Sequence, residues 1–188
     1  MNRLVLVSGN AGKLAECQAH LEPLGWQVEA DKRGYPELQA QTLAEVTGFG
    51  ADWLLAHGLA PPFALEDSGL FVDALGGFPG VQSRHALEHL GLDGLLRLVA
   101  GRDRTASFRT DLLFVDAAGR RHHLAGACAG TLAEAPRGTG GFGFDPVFVP
   151  AGHMRTFAEM TVAEKGALSH RGQALRSLAR LLIEAANP

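Results

Sequence analysis

A short apolar segment that leads through a glycine-containing loop into a helix constrains the fold more than any other feature of this sequence. Residues 4–7 are all Leu or Val, which predicts a buried β-strand. After the loop, apolar residues recur at helical spacing from Leu14 to Leu24, and Gly25 supplies a stop signal. A second short strand is predicted over residues 26–30. The order strand, loop, helix, strand is typical of an α/β protein.

The rest of the chain alternates between helical and extended patterns. Capping-box spacing at Thr42 predicts a helix that reaches about residue 57, and a brief strand is predicted over residues 63–65. Residues 86–100 return to a helical period. An extended hairpin is predicted over residues 105–132, and we expect it to belong to a sheet lobe distinct from the opening unit.

Composition and charge exclude several classes of protein. The 188 residues carry a formal net charge of -3 and no dense basic block, so we expect no nucleic-acid partner. No apolar run approaches the roughly 18 residues that span a bilayer, and the first residues are too short for a signal peptide. Cys17 and Cys128 lack a metal-type spacing, and reduced thiols are favoured over a disulfide. We therefore expect a cytoplasmic protein without a membrane partner.

The loop after the first strand is a candidate anion-binding site. Its residues are Ser8, Gly9, Asn10, Ala11, Gly12 and Lys13. Glycines permit close approach of the backbone to an anion, and a helix start offers free N–H groups and a positive dipole end. Lys13 adds a full charge and Asn10 a side-chain donor. The alternative is an ordinary strand-to-helix turn with no ligand.

Two adjacent carboxylates, Glu66 and Asp67, follow the brief apolar strand at residues 63–65, with Ser68 and Gly69 next. Ligands of α/β sheets usually lie at the C-terminal ends of strands. Mg2+ prefers oxygen ligands and needs only one or two carboxylates, so both acids are candidate metal ligands. A surface turn with two solvated acids is the alternative.

A glycine-rich segment near residue 140 combines aromatic rings with a carboxylate. Phe142 next to Gly143 could stack on a base, and Asp145 could accept a hydrogen bond from a purine N–H. Phe144 belongs to the same candidate substrate-binding segment, although the apolar residues that follow favour a core position for its ring.

Several donors cluster where the last helix is predicted to begin. Ser169, His170 and Arg171 stand at its start, and Lys165 lies one turn earlier. Such donors suit a carbonyl or phosphate oxygen. An N-cap serine followed by solvated charges would explain the same residues without a ligand.

Taken together, these segments resemble the inosine/xanthosine triphosphate pyrophosphatase family, enzymes that remove deaminated purine nucleotides. The resemblance is collinear from Ser8 to about Leu178. Its strongest segments are residues 8–13, 66–70 with 74–80, 141–148, 156–160, and Lys165 with 169–171. Each segment is weak by itself, but five in the same order are specific.

The resemblance implies a fold and an activity. The implied fold is α/β, with a long curved mixed sheet flanked by helices in two lobes and a central nucleotide cleft. We expect one domain over residues 1–188, with lobes of approximately 1–75 plus 160–188 and 76–159. The implied reaction is Mg2+-dependent hydrolysis of ITP, dITP or XTP to the monophosphate and pyrophosphate. A homodimer is also implied.

The resemblance also implies residue roles. The triphosphate would lie on residues 8–13, Asp67 would be the general base and a metal ligand, and Glu45 would help to hold Mg2+. Ser68 would contact the substrate, and Phe142 would stack on the base. The residues implied around the edge of the base are Asp145, Lys165, His170 and Arg171.

Three departures from the family pattern qualify the resemblance. Glu45 is followed by Val46 and Thr47 instead of Asn-Ala, and Gly50 stands where a lysine is usual. Gln82 replaces a tyrosine, and Phe144 replaces an aromatic residue with a polar edge. A catalytically impaired nucleotide-binding protein and a pyrophosphatase for other modified nucleotides are the alternative functions.

Overall fold

The computed structural model describes residues 2–186, and this range contains six strands and five α-helices. The strands are β1 (Asn2–Val7), β2 (Trp26–Asp31), β3 (Phe63–Val72), β4 (Thr105–Val115), β5 (Arg121–Leu132) and β6 (Phe148–Pro150). The helices are α1 (Ala11–Leu21), α2 (Leu43–Ala56), α3 (Ser83–Leu98), α4 (Val162–Leu168) and α5 (His170–Ala186). No helix in this range is long and apolar enough to cross a membrane.

All six strands form one open mixed sheet in the order β2-β1-β3-β4-β5-β6. β1 pairs in parallel with β2 and β3, and the remaining neighbours are antiparallel. The predicted α/β class and mixed sheet are confirmed. The β4–β5 hairpin belongs to the same sheet as the opening unit, because β4 pairs with β3 along the whole of β3, and the division into two lobes stays a prediction.

Strand β3 is much longer than the three residues predicted for it. It continues from Phe63 to Val72, so Glu66 and Asp67 lie inside the strand and not in a turn after it. Its parallel pairing with β1 nevertheless ends at Val7 and Leu65. The two carboxylates therefore lie at the C-terminal edge of the parallel strands, where ligands of α/β sheets usually bind.

The sheet separates two hydrophobic clusters. Leu112 and Phe114 of β4 face helices α1 and α5, whereas Leu113 and Val115 face α2. Because successive side chains of a strand point to opposite faces, β4 needs apolar residues at every one of these positions. The continuous apolar run that results is the pattern of a strand buried on both faces.

A third cluster lies where β3 ends and β4 begins, against α3 and β6. Phe108, Phe148 and Phe157 form its aromatic centre, with ring centroids 4.8–5.9 Å apart. Helix α3 is interrupted at Gly91, whose φ of 64° is non-helical. The third cluster packs α3 and the chain after β5 onto the end of the sheet remote from β1.

Candidate functional site

The loop that follows β1 is shaped by Asn10, which caps α1. Its Oδ1 accepts hydrogen bonds from the backbone N–H groups of Gly12 at 2.9 Å and Lys13 at 3.1 Å, and its own N–H donates to Ser8 Oγ at 3.1 Å. The predicted strand-to-helix turn is therefore confirmed. The cap organises the loop and leaves the positive end of the helix dipole directed at the edge of the sheet.

Lys13 and Arg171 approach Glu66 from the two helices on one face of the sheet. Lys13 Nζ donates to the Glu66 backbone oxygen at 2.9 Å and lies 3.1 Å from Glu66 Oε2. Arg171 Nε donates to Glu66 Oε2 at 3.2 Å, and the Thr110 hydroxyl donates to Oε1. Glu66 is therefore surrounded by donors from α1, α5 and β4.

This arrangement fixes the charge of Glu66. Burial opposes ionisation, but the Arg171 and Lys13 cations and the Thr110 hydroxyl outweigh it and hold the pKa of Glu66 well below its usual range. Both carboxylate oxygens already accept from protein donors. In this arrangement the donors of Lys13, Arg171 and Thr110 surround Glu66, and its role as a metal ligand stays a prediction.

Glu16 is a member of the same network that the sequence analysis missed. Its carboxylate accepts from Lys165 Nζ at 2.7 Å and from Arg171 Nη1 at 2.6 Å, and the residue is buried. The two cations counteract burial and lower the pKa of Glu16. The available signal was its spacing, since Glu16 follows Lys13 by three residues and shares its helix face.

Lys165 and Asp145 complete the network at the start of the last helices. Lys165 Nζ donates to Asp145 Oδ2 at 2.6 Å, and both residues are at most 3% exposed. Burial raises the pKa of Asp145, although Lys165 opposes this effect. Asp145 Oδ2 also accepts the Phe142 N–H at 2.8 Å. Asp145 therefore fixes the backbone at Phe142, and its Oδ2 accepts hydrogen bonds from both Phe142 and Lys165.

Phe142 lies over the cations of the network. Its ring centroid is 4.7 Å from Lys165 Nζ and 5.2 Å from Arg171 Cζ. The ring occupies the space that a β-carbon on Gly12 would need, so it also contacts the capped loop. The structure therefore brings together the two segments that were predicted to hold the base and the phosphates.

The residues around Phe142 have different positions. Gly143 has a φ of 65°, a left-handed conformation that favours glycine and turns the chain between the two rings. Phe144 is 4% exposed and packs in the third hydrophobic cluster. The turn at Gly143 directs the Phe144 ring into the core, as the apolar residues after it favour, and a substrate-binding role for Phe144 stays a prediction.

His170 is buried at the start of α5 and stacks on Phe108, with ring centroids 4.7 Å apart. Burial and the Arg171 cation hold the pKa of His170 well below its usual value, so the ring is neutral at neutral pH. Within residues 2–186, its Nδ1 is buried without a hydrogen-bond partner. An unpaired buried polar atom is costly, and a ligand that paired with it would remove that cost.

Each of the three guanidinium nitrogens of Arg171 donates a hydrogen bond to a side chain of the site. Besides its bonds to Glu16 and Glu66, its Nη2 donates to Ser68 Oγ at 2.9 Å. Its pKa lies above the usual range because the two carboxylates outweigh burial. Arg171 and Ser68 therefore belong to the buried framework of the site, and the guanidinium holds three elements together.

Asp67 lies on the opposite face of β3 from Glu66, the face covered by α2. It is directly across from Asp111 of β4, which is buried and accepts hydrogen bonds from Thr47 of α2 and from His123 at 2.9 Å. No ion pair joins the Asp67 carboxylate within the part of the chain that the structure describes. Burial raises the pKa of Asp67, and Glu66 adds to the rise, whereas Lys13 opposes it.

The surroundings of the Asp67 carboxylate are compatible with Mg2+ binding. Asp67 offers a carboxylate whose oxygens no cation of residues 2–186 occupies, which suits a hard cation that also takes phosphate and water ligands. The described residues contain no cluster of three His, Cys, Asp or Glu side chains that could hold a metal. Asp67 fits such an ion as one of few protein ligands.

Glu45 caps α2. Its Oε2 accepts from the backbone N–H groups of Thr42 at 2.8 Å and Gln41 at 2.9 Å, which completes the capping box predicted from the sequence. These bonds lower the pKa of Glu45. The structure thus confirms the cap, and a role of Glu45 in metal binding stays a prediction.

The fold and this site define a class: an α/β protein with a capped strand-to-helix loop, a buried ion network and, beside them, the Asp67 carboxylate, which forms no ion pair within residues 2–186. A sequence model of the Ham1 family matches residues 4–181, and the chain belongs to this family.

Curated relatives and a solved structure agree with this assignment over nearly the whole chain. A dITP/XTP pyrophosphatase of Thermococcus kodakarensis is 49% identical over 183 residues, which cover 97% of this chain and 98% of the relative. The corresponding enzyme of Pyrococcus horikoshii is 43% identical and covers 93% and 94%. The structure of a HAM1 protein from Coxiella burnetii superposes with a TM-score of 0.83 at 33% identity, covering 98% and 100%.

Proposed function

We propose that the protein hydrolyses deaminated purine nucleoside triphosphates, with dITP, ITP and XTP as substrates, to the monophosphate and pyrophosphate. The relatives named dITP/XTP pyrophosphatase support this activity. The observation in the structure that carries it is the position of Asp67. Within residues 2–186 this carboxylate forms no ion pair, and it lies at the C-terminal edge of the parallel strands, where the capped loop at residues 8–13 also begins.

The triphosphate is proposed to lie along the loop. Asn10 engages the N–H groups of Gly12, Lys13 and Leu14, so the Ala11 N–H and the positive dipole end of α1 are proposed to stabilise phosphate charge. Lys13 adds a cation, and its bond to the Glu66 backbone keeps the amine at the edge of β3. Charge that builds on the departing pyrophosphate is stabilised by groups already in place, which is the main source of catalysis in phosphoryl chemistry.

Asp67 is proposed as the general base. Its carboxylate takes a proton from the attacking water as oxygen bonds to the α-phosphorus and the bond to pyrophosphate breaks. The raised pKa of Asp67 makes its carboxylate a stronger base than a solvated aspartate. Asp67 and Glu45 are the proposed protein ligands of Mg2+, which supplies charge neutralisation to the phosphates when bound.

The base is proposed to stack on Phe142 and to place its edge at His170. His170 Nδ1 can donate to a 6-oxo group in the tautomer that carries a proton there. Adenine presents an amino group at that position, so the donor would stay unpaired and ATP would be rejected. We propose that Lys165, Asp145 and Arg171 act here mainly as positioning residues, since their polar groups are bonded within the network.

The test is pyrophosphate release from ITP, dITP, XTP, GTP and ATP, each with Mg2+ and with EDTA. We expect metal-dependent turnover of the first three and little turnover of GTP and ATP. Binding of ITP without turnover would support a catalytically impaired binding protein. Turnover of a pyrimidine triphosphate in preference to ITP would support a pyrophosphatase for other modified nucleotides.

The assembly of the protein is a separate proposal. The resemblance implies a homodimer, and light scattering of the purified protein measures its molar mass directly. We expect twice the mass of the chain, and a value equal to one chain would exclude a stable dimer.

A further inference from the structure

We infer that Tyr35 is a substrate-contacting residue whose hydroxyl donates a hydrogen bond to the phosphate chain of the nucleotide, on the α2 side of Asp67. This inference rests on the proposed function and adds a donor to the same site. Tyr35 lies in the segment between β2 and α2, and it is the only tyrosine of the chain.

The absence of a side chain at Gly50 leaves the space that the Tyr35 ring occupies. Gly50 lies inside α2 and is buried, and a β-carbon on it would lie 2.8 Å from Tyr35 Cζ and 2.7 Å from Leu65 Cδ1. Glycine within a helix costs roughly 1 kcal/mol relative to alanine, and no left-handed conformation requires it here. The close approach of Tyr35 accounts for this glycine, which the sequence shows as a departure from the family pattern.

The same contacts place the hydroxyl end of the ring near Asp67. Cζ is the carbon that carries the hydroxyl, and it lies at Gly50 beside Leu65. Leu65 and Asp67 are two residues apart on β3, so their side chains share the face covered by α2, about 7 Å apart along the strand. The phenol end of Tyr35 therefore lies on the same face as the proposed catalytic carboxylate, close enough for the negative charge of Asp67 to raise the pKa of its hydroxyl.

The hydroxyl is free to bind a ligand. Across residues 2–186, Tyr35 makes no side-chain hydrogen bond, and its hydroxyl is not a fully buried, unsatisfied atom. Burial, together with the negative charges of Asp67 and Glu66, raises the pKa of Tyr35, so the group stays a neutral O–H donor at any working pH. A neutral donor beside two carboxylates can approach a phosphate oxygen without forming an ion pair with either acid.

The path of the backbone brings Tyr35 to the phosphate end of the cleft. The Ser8 N–H donates to the Asp31 backbone oxygen at 3.0 Å, so the end of β2 lies beside the first residue of the capped loop. Tyr35 follows Asp31 by only four residues. Tyr35 packs on the α2 face of the sheet, opposite α1 and α5, where no other described side chain is assigned as a phosphate donor.

The first test compares the wild type with Tyr35→Phe, which keeps the ring in the Gly50 opening and removes only the hydroxyl. Loss of a hydrogen bond to a charged group is expected to lower kcat/KM for ITP on the order of 10–100-fold. The dissociation constant of inorganic tripolyphosphate, measured by calorimetry without turnover, should rise on the same order. The thermal midpoint should change little, since packing is retained.

A second variant keeps the hydroxyl and moves the ring. Gly50→Ala introduces the β-carbon for which there is no space beside Tyr35 and Leu65, so it should also lower kcat/KM and weaken tripolyphosphate binding. If both variants act through the Tyr35 hydroxyl, the double variant should be no worse than the more impaired single variant.

The outcomes separate this inference from the proposed function. Wild-type turnover together with unchanged kcat/KM and unchanged tripolyphosphate binding in Tyr35→Phe would overturn the inference and leave the proposed function intact. If the wild type hydrolyses none of the nucleotides, the proposed function fails. Comparison of tripolyphosphate binding by wild type and Tyr35→Phe then still decides the role of the hydroxyl.

Discussion

At the scale of single residues, the neighbouring acids Glu66 and Asp67 have pKa values shifted in opposite directions, because their side chains point to opposite faces of the sheet. Glu66 faces α1 and α5, where Lys13 and Arg171 stabilise its charge. Asp67 faces α2, where no cation of the described chain pairs with it, and burial raises its pKa. The two carboxylates thus have pKa values shifted in opposite directions by their surroundings, which is consistent with a structural role for Glu66 and with the reactive role proposed for Asp67.

Replacing Asp67 with asparagine should separate activity from stability. We expect Asp67→Asn to abolish pyrophosphate release from ITP while nucleotide binding is largely retained. Because partial burial disfavours the ionised carboxylate in the folded state, the variant should also have a higher melting temperature than the wild type. Calorimetric melting and ITP titration measure both effects. Unchanged turnover would remove Asp67 from the reaction.

The lowered pKa values of Glu66 and Glu16 predict how stability depends on pH. Both groups bind protons more weakly in the folded chain than in the unfolded chain, where the value is near 4.5. Their contribution is therefore complete above pH 4.5 and is lost as the pH falls below it. Urea denaturation between pH 3 and 7 should show the free energy of unfolding falling on the acid side.

Asp67, whose pKa is shifted in the opposite direction, provides a control for this dependence of stability on pH. Asp67 has a raised pKa, so it favours the folded state as the pH falls and partly offsets the loss from Glu66. The acid-side decline should therefore be steeper in Asp67→Asn than in the wild type. An identical slope in the two proteins would contradict the assignment of a raised pKa to Asp67.

At the scale of elements, helix starts were the most predictable features of the chain. The sequence predicts the capping box at Thr42, and the structure contains it together with a second capping box at Thr161. Their signal is local, since the partners lie three residues apart. The length of β3 could not be predicted this way, because residues 66–72 are extended through pairing with β4, which is remote in sequence.

Matched variants of the α2 cap can decide whether Glu45 also binds Mg2+. Glutamine at an N3 position preserves a capping box, so Glu45→Gln should keep stability while it raises the Mg2+ concentration needed for half-maximal activity. Thr42→Ala should do the reverse, lowering the free energy of unfolding by about 1 kcal/mol without changing the Mg2+ requirement. An unchanged Mg2+ requirement in Glu45→Gln would limit Glu45 to capping.

At the scale of the whole molecule, the buried ion network joins segments that are far apart in the chain. Glu16 of α1, Lys165 of α4 and Arg171 of α5 meet Glu66 of β3 on one face of the sheet. The sequence predicted most of these residues as a functional cluster, because their segments occur together in a known order. It did not predict Glu16 or the positions that Tyr35 and Asp111 take, since these depend on which helix covers which face.

Truncation of Arg171 should therefore affect the entire fold. Arg171→Ala leaves Glu16 and Glu66 buried with less compensation, and breaking a buried ion network of this kind costs about 3–5 kcal/mol. Thermal and urea denaturation measure this loss. Exposed Arg84, which pairs with Glu37 and Glu88, is the matched control, and Arg84→Ala should cost less than about 1 kcal/mol. Equal losses in the two variants would contradict a structural role for Arg171.

The unbroken pairing of β3 with β4 has a mechanical consequence. The two strands are joined over ten consecutive residue pairs, and this ladder runs from the α2 side of the site into the third hydrophobic cluster. A hinge that swung the two proposed lobes apart would have to bend a continuous sheet. If the cleft opens to admit a nucleotide, we therefore expect the movement in the two segments outside the ladder that carry Tyr35 and Phe142.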